Sequence, residues 1–334
     1  MRISQLGGEQ AIIKLIEQHY GALEDSRVVV GFGDDAALVR TAGDRLLIVT
    51  TDLLVEGTHF RREITDPFSL GWKAVAASLS DIAAMGGVPS WGFVSIAVPD
   101  IEVSFIEALY DGMNAVSAKF ASRIIGGDTN SSAGGIVINV TQLGEVEEGR
   151  AALRSGAKPG DRILVTGFLG DSAAGLQLLL KLGLDEGLKS HSEVVERHIR
   201  PVPRVADGRA AVGTGLVRAM MDISDGLALD LGKMCEASGV GARVMAARLP
   251  LGEPLARAAD ALGADPASLA ASGGEDYELL IAASPEDAET LARTVEEATA
   301  TVVSDIGEFV AGRGAVLVGP DGSQGPLRPG WVHF

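Results

Sequence analysis

Apolar residues Ala11, Ile12, Leu15 and Ile16 recur at helical spacing and predict a helix over residues 8–19. The charged stretch after Tyr20 separates it from a short strand at Val28-Val29-Val30. Two further strands, Ala36–Thr41 and Arg45–Thr50, are split only by Ala42-Gly43-Asp44, which has turn chemistry and is too short for a crossover helix, so a hairpin is expected. Asp66-Pro67 supplies an N-cap and a preset first turn for a helix running through Lys73, Val75, Leu79 and Ile82 to a stop at Gly86-Gly87. A strand from Trp91 to Val98, a helix from Val103 to Phe120, a short strand at Ile124-Ile125 and a strand from Ile136 to Val146 complete an alternating first half.

The turn cluster Ala157-Lys158-Pro159-Gly160-Asp161 precedes the strand Arg162–Thr166 and marks the neighbourhood of a second domain. The same kinds of element follow: helices at Ser172–Leu182, around Val194 and Ala206, and at Glu286–Ala298; strands at Ala242–Ala246, Tyr277–Ala282 and Val302–Ile306. A chain of 334 residues suits two domains. The expectation is an α/β (α+β) fold divided into residues 1–150 and 151–334, with no internal repeat.

Composition narrows the chemistry. With 46% hydrophobic and 22% charged residues the chain folds rather than staying disordered. Asp plus Glu outnumber Lys plus Arg by 45 to 28, and the net charge of −17 disfavours nucleic acid and anionic membranes as partners. An anionic ligand would then need metal ions or local help. The N-terminus lacks the apolar core of a signal peptide, and no apolar run is long enough to span a bilayer, so a cytoplasmic protein is expected. Cys235, the one cysteine, reads as a buried helical thiol without a disulfide.

Aspartates recur just after apolar segments: Asp34 and Asp35 after Val28–Val30, Asp52 after Leu46–Val49, Asp128 after Ile124-Ile125, and Asp222 after Ala219–Met221. Strand ends project into clefts in α/β architectures, so these carboxylates can converge. Asp81 joins them from a helix otherwise made of Ala, Leu, Ile and Val. One such Asp is ordinarily a turn former or cap, but several in one cleft repel unless a cation intervenes. All-oxygen ligands suit Mg²⁺ held jointly by carboxylates and substrate phosphates.

Other chemistries lack support. Gly31-Phe32-Gly33-Asp34-Asp35-Ala36 imitates a dinucleotide fingerprint, but no helix follows and two acids stand where the pyrophosphate would sit. No Walker A loop, H-E-x-x-H, paired CxxC or G-x-S-x-G elbow is present. His59, shortly after Asp52, is a candidate phosphate contact against the plainer reading of a structural His; His191 and His198, among Glu and Arg at helical spacing, are placed on a solvated face.

Read in order, Gly31–Ala36, Thr50-Thr51-Asp52 through Gly57-Thr58-His59-Phe60, Leu79-Ser80-Asp81-Ile82-Ala83-Ala84-Met85-Gly86 and Gly126-Gly127-Asp128-Thr129 resemble the thiamine-monophosphate kinase family. So do Arg154–Asp161, Gly170–Gly175, Met221-Asp222-Ile223-Ser224-Asp225-Gly226-Leu227 and Ser272–Leu279. The resemblance implies the fold of aminoimidazole ribonucleotide synthetase, with an N-terminal domain that dimerises through its sheet, a C-terminal domain closing the cleft, and ATP near the dimer interface. It implies direct transfer of the γ-phosphoryl group of ATP to thiamine monophosphate, giving thiamine diphosphate without a phosphoenzyme.

By the same similarity Asp34, Thr50, Thr51, Asp52, Asp81, Asp128, Asp222 and Asp225 form the magnesium set, and Tyr110, Gly127, Asp128, Arg154 and Ser224 contact ATP. His59, Glu275 and Trp331 would contact thiamine monophosphate, Trp331 by stacking on the cationic ring. No general base is required, because the accepting phosphate is already an anionic nucleophile. Two positions depart from the family pattern: Asn130-Ser131-Ser132 where many relatives carry a basic residue, and Leu53 where a small polar residue is frequent. The competing readings are aminoimidazole ribonucleotide synthetase, selenophosphate synthetase, whose reactive residue near the N-terminus is missing here, and a non-catalytic metal- or nucleotide-binding module.

Overall fold

The computed structural model describes residues 9–20, 25–328 and 330, and contains two sheets joined through one deeply buried helix. After α1 (Glu9–Tyr20), the first sheet comprises β1 (Val28–Val30), β2 (Ala37–Arg40), β3 (Arg45–Val55), β4 (Val88–Val98), β5 (Arg123–Ser131) and β6 (Val137–Glu147), in the order β1-β2-β3-β6-β4-β5. The expected hairpin forms between β2 and β3. β3 and β6 pair antiparallel from Arg45↔Glu147 to Val55↔Val137, and β5 lies parallel to β4 at the sheet edge.

Helices α2 (Pro67–Ala84) and α3 (Val103–Lys119) cover one face of this sheet. The Asp66 carboxylate accepts the Ser69 amide at 2.9 Å, so the cap and the following proline start α2 as the sequence indicates. The two helices meet at glycines because a Cβ on Gly71 would come within 1.9 Å of the Leu109 carbonyl oxygen, and one on Gly112 within 1.9 Å of that of Phe68.

The second sheet contains β7 (Arg162–Thr166), β8 (Val217–Ile223), β9 (Gly241–Met245), β10 (Glu278–Ala283), β11 (Val303–Val310), β12 (Gly314–Val318) and β13 (Gln324–Pro326), ordered β13-β12-β9-β11-β7-β10-β8. Its helices are α4 (Asp171–Leu182), α5 (Leu184–Ile199), α6 (Val205–Gly213), α7 (Leu227–Ser238), α8 (Glu253–Leu262), α9 (Pro266–Ser272) and α10 (Ala288–Thr299). Leu227, Leu231 and Met234 of α7 pack on Ile163, Val165 and Leu280 from one side. From the other, Leu291 and Val295 of α10 cover Met220, Leu279 and Ile281.

Helix α2 belongs to both halves: Leu70, Ala74 and Leu79 lie in the core of the first sheet, whereas Ala83 and Ala84 join the core of the second. Its polar residues Ser69, Lys73, Ser78 and Ser80 are therefore buried and must find partners.

Two strand expectations need correction. β3 does not stop at Thr50 but continues to Val55, which places Asp52 inside the strand. β5 extends over nine residues, so Asp128 also lies within a strand. The run Gly126-Gly127-Asp128-Thr129-Asn130-Ser131 has weak strand propensity, and its extended form comes from parallel pairing with β4. Strands β12 and β13 and helices α8 and α9 were not expected from the pattern.

Candidate active site

A cleft of about 1390 Å³ runs between the two sheets, with α2 along its floor. In β3, Thr50 and Asp52 lie on the same side of the strand as buried Ile48 and Leu54 and so meet α2. Ser78 Oγ donates to Asp52 at 2.7 Å, and the Thr50 hydroxyl bonds to Asp81. From the second sheet, Asp222 of β8 accepts a 2.6 Å bond from Ser80 Oγ. The loop before β2 supplies Asp35, which receives the Arg154 guanidinium at 3.0 and 2.5 Å, and Asp34, which accepts the Arg154 amide at 3.2 and 3.3 Å.

Asp35, Asp81 and Asp222 each offer an oxygen within 4.8 Å of the others. Burial, together with repulsion from Asp52, Asp222 and Asp35, pushes the Asp81 carboxyl well above the usual carboxylate range. Asp222 is pushed up in the same way, chiefly by burial and then by Asp35. Burial also raises Asp52, and burial with the neighbouring Asp35 carries Asp34 up to about 6. Asp35 Oδ2 is buried without a hydrogen-bond partner. These carboxylates must take up protons or gather around a divalent cation, and their all-oxygen donor set fits Mg²⁺.

Beside them Asp225 accepts from Lys233 Nζ at 2.5 Å, and Lys233 also reaches Asp230 at 2.8 Å. Asp230 in turn accepts the Asp225 amide at 2.9 Å, fixing the loop between β8 and α7. The opposite end of the cleft is lined by His59, Lys73, His198 and Glu275 with Ile64, Leu176, Leu180 and Leu269. His59 Nδ1 accepts the Val55 amide at 3.0 Å, which sets its ring orientation. Glu275 pairs with Lys73 at 2.7 Å; burial favours the neutral acid, but Lys73 together with the neighbouring imidazoles of His198 and His59 outweighs it and holds the carboxyl below its usual range.

The cleft brings together Asp34, Thr50, Thr51, Asp52, His59, Asp81, Arg154, Asp222, Ser224, Asp225 and Glu275. The Thr51 hydroxyl accepts from Asn139 Nδ2 at 2.9 Å and lies 3.2 Å from the Thr141 hydroxyl, across the strand from Thr50. Tyr110 on α3 and Gly127 and Asp128 on the β5 edge stand outside the lining of this cleft. Trp331 lies outside the described residues.

The solvated-face reading of His198 is overturned: the ring is buried between Lys73, Ser172 and Glu275. Lys73 is not among the site residues expected from the sequence, although a cation in an apolar helix is the same anomaly that singles out Asp81. Lys233 carried no comparable signal. The buried environment of Cys235 does fit a spectator thiol, since desolvation pushes it up to about 11. The loop holding Asp34 and Asp35 leads straight into β2, so the helix of a dinucleotide fold is missing there.

Residues 33–146 match the family described as AIR synthase related protein, N-terminal domain, and residues 158–319 match the corresponding C-terminal domain. The chain is similar to the thiamine-monophosphate kinase of Bacillus subtilis (strain 168), with 43% identity over 231 residues, 69% of this chain and 71% of the relative. It is also similar to AaThiL complexed with AMPPCP and TMP, at 34% identity and a TM-score of 0.85, covering 100% of this chain and 99% of that one. The thiamine-monophosphate kinase structure from Stenotrophomonas maltophilia K279a aligns at 35% identity and a TM-score of 0.76, covering 95% and 98% of the two chains.

Proposed function

The chain belongs to the thiamine-monophosphate kinases within the AIR synthase related family, and we propose that its cleft transfers the γ-phosphoryl group of ATP to thiamine monophosphate, yielding thiamine diphosphate and ADP. The AaThiL structure, a complex with AMPPCP and TMP, supports this pair of substrates. The observation that carries the reading is the convergence of carboxylates from both sheets at one end of a cleft whose other end presents Glu275 and His59. Residues 1–150 would form the nucleotide- and metal-binding domain and residues 151–334 the domain that closes the cleft.

In this reading Asp34, Asp35, Thr50, Thr51, Asp52, Asp81, Asp222 and Asp225 hold Mg²⁺, supported by the orphaned Asp35 oxygen and the crowded buried acids. Bound Mg²⁺ supplies positive charge that neutralises the phosphates and the charge developing during transfer. Arg154 and Ser224 contact ATP from the cleft wall. Glu275 sets a negative charge against the thiazolium, His59 meets the acceptor, and Trp331 stacks on its ring system. No side chain needs to remove a proton, because the acceptor phosphate attacks as an anion. The chain's contribution is to align the two phosphates and exclude water.

Tyr110, Gly127 and Asp128 stand outside the cleft of their own chain, so their part in nucleotide binding belongs to a homodimer in which the β5 edge serves the neighbouring cleft. The solvent-exposed side chains of Leu53, Trp91, Phe93 and Ile125 on the first sheet support that assembly. Among the described residues no helix is long and apolar enough to cross a membrane. With the acidic composition, this supports a cytoplasmic location.

The test is incubation with ATP, Mg²⁺ and thiamine monophosphate, followed by mass detection of products. Thiamine diphosphate and ADP in equal amounts, absent with EDTA, are expected. ATP binding without that product would redirect the search to other acceptors.

A further inference from the structure

Lys73 is an unusual residue for its position. Its long stem can carry the ammonium to water from most buried sites, yet only 5% of the side chain is exposed and Nζ stops 2.7 Å from Glu275 Oε2. The ammonium also lies 3.4 Å from His198 Nε2. An ammonium only donates, so Nε2 accepts and the ring proton resides on Nδ1. That nitrogen is 3.3 Å from the same Glu275 oxygen and 3.1 Å from Ser172 Oγ. Burial and the adjacent Lys73 lower the His198 pKa to about 3, so the ring stays neutral and holds this tautomer. Lys73 of α2 thus donates to this carboxylate oxygen while His198 of α5, bonded to Ser172, packs against the same oxygen.

The backbone under Glu275 is equally constrained. Glu275 and Tyr277 adopt φ values of 64° and 52°, in the left-handed region where side-chain-bearing residues are strained. Their amides donate to the Ser224 and Ile223 carbonyls at 2.7 and 2.9 Å. Asp276 between them turns the other way and accepts the Gly170 and Ser172 amides at the start of α4, at 2.9 and 3.3 Å. With Oε2 bonded to Lys73 and packed against His198, the 30% of the Glu275 side chain that remains exposed faces the cleft.

We propose that Lys73 and His198 are positioning residues for thiamine monophosphate: they clamp one oxygen of Glu275 and present the other to the cationic part of the substrate. The inference rests on the reading that Glu275 contacts that substrate. A lysine beside the glutamate weakens its net attraction for a cation, so the pair contributes orientation rather than charge. A fixed carboxylate has little rotational freedom left to lose when the substrate arrives.

Steady-state kinetics on the full chain tests this, varying ATP and thiamine monophosphate separately. Lys73→Met is expected to raise KM for thiamine monophosphate about tenfold while KM for ATP stays within about twofold, the size of effect expected from one charge-assisted hydrogen bond. Lys73→Arg, which keeps a donor, should recover most of the loss. Lys73→Met combined with Glu275→Gln should be no worse than Glu275→Gln alone, because both act through one carboxylate. Should Lys73→Met fail to fold, His198→Gln tests the same clamp and should raise the same KM selectively. Multiplicative losses in the double variant would assign Lys73 a direct contact with substrate and overturn the proposal, as would equal changes in both KM values. A wild-type protein that turns over thiamine monophosphate beside an unaffected Lys73→Met overturns only this inference, whereas a wild type with no turnover overturns the functional reading beneath it.

Discussion

Ser80 Oγ donates to Asp222 Oδ2 at 2.6 Å, joining α2 of the first half to β8 of the second across 142 positions of sequence. The bond opposes the burial that drives Asp222 toward its neutral form. Ser80→Ala removes the one hydrogen-bond donor that the described residues offer this buried carboxylate. It is expected to lower unfolding free energy by about 1–3 kcal/mol and to raise the Mg²⁺ concentration needed for half-maximal activity. Urea titration and a Mg²⁺ dependence of rate check the two effects. An unchanged variant would remove the bond from both roles.

The carboxylates themselves separate charge from shape. Asp52→Asn and Asp222→Asn preserve volume while removing an acid from a cluster in which like charges crowd one another. Turnover should fall by about two to three orders of magnitude or more in each, the range seen when a charge-stabilising group is lost. The fold should survive, and stability in EDTA should hold or rise as repulsion is relieved. Circular dichroism with activity assays decides; normal activity in both variants would take these residues out of the metal site.

Without metal, the same cluster makes stability depend on pH in a defined direction. Asp34 rises from its usual 3.8 to about 6, through burial and Asp35, and Asp81 and Asp222 are likewise pushed well above the usual carboxylate range. The folded chain then keeps protons that the unfolded chain has already released. Their contribution is complete below the unfolded values and is lost as pH rises through the folded ones. In EDTA, Tm should therefore decline as pH rises from about 4 to about 6, the interval between the unfolded and folded values of Asp34. Saturating Mg²⁺ should flatten that slope, since a cation replaces the protons. Parallel slopes in EDTA and Mg²⁺ would argue against a cation at this cluster.

These carboxylates also show what a sequence can and cannot convey. Asp81 was legible because an acid in an otherwise apolar helix is costly without a purpose, and Asp66-Pro67 because cap and proline have local geometry. Of two adjacent acids, which one meets Asp81 and Asp222 is set by the loop backbone, and the chain turns Asp35 toward them. Asp52 was located by its neighbours but not by its strand, because β3 continues through Thr51-Asp52-Leu53 by pairing with β6. His198 was misplaced for a different reason. Helix α5 is kinked at His191, where φ is −142° and ψ 45°, so helical spacing counted from His191 loses its phase before it reaches His198. Long-range pairing also explains β5, whose own residues favour a loop.

The outer face of the first sheet leads to the last prediction. Leu53 of β3 and Trp91 and Phe93 of β4 alternate with buried neighbours and so stand on the side away from α2 and α3, with Leu53, Trp91 and Phe93 exposed by 52%, 48% and 38%. Ile124 packs into the core, leaving its neighbour Ile125 51% exposed. Apolar side chains spread across three strands are a surface that a twofold dimer would bury. Sedimentation at micromolar concentration should show two chains, and Trp91→Asp with Phe93→Asp should yield a folded monomer, because each charge would be buried against its symmetry-related copy. If β5 serves the neighbouring cleft, that monomer should also lose affinity for ATP while the buried acid cluster stays intact. A wild-type monomer would remove the shared nucleotide site and, with it, the roles of Tyr110, Gly127 and Asp128; a monomeric variant with normal ATP affinity would keep the dimer but confine the nucleotide to one chain.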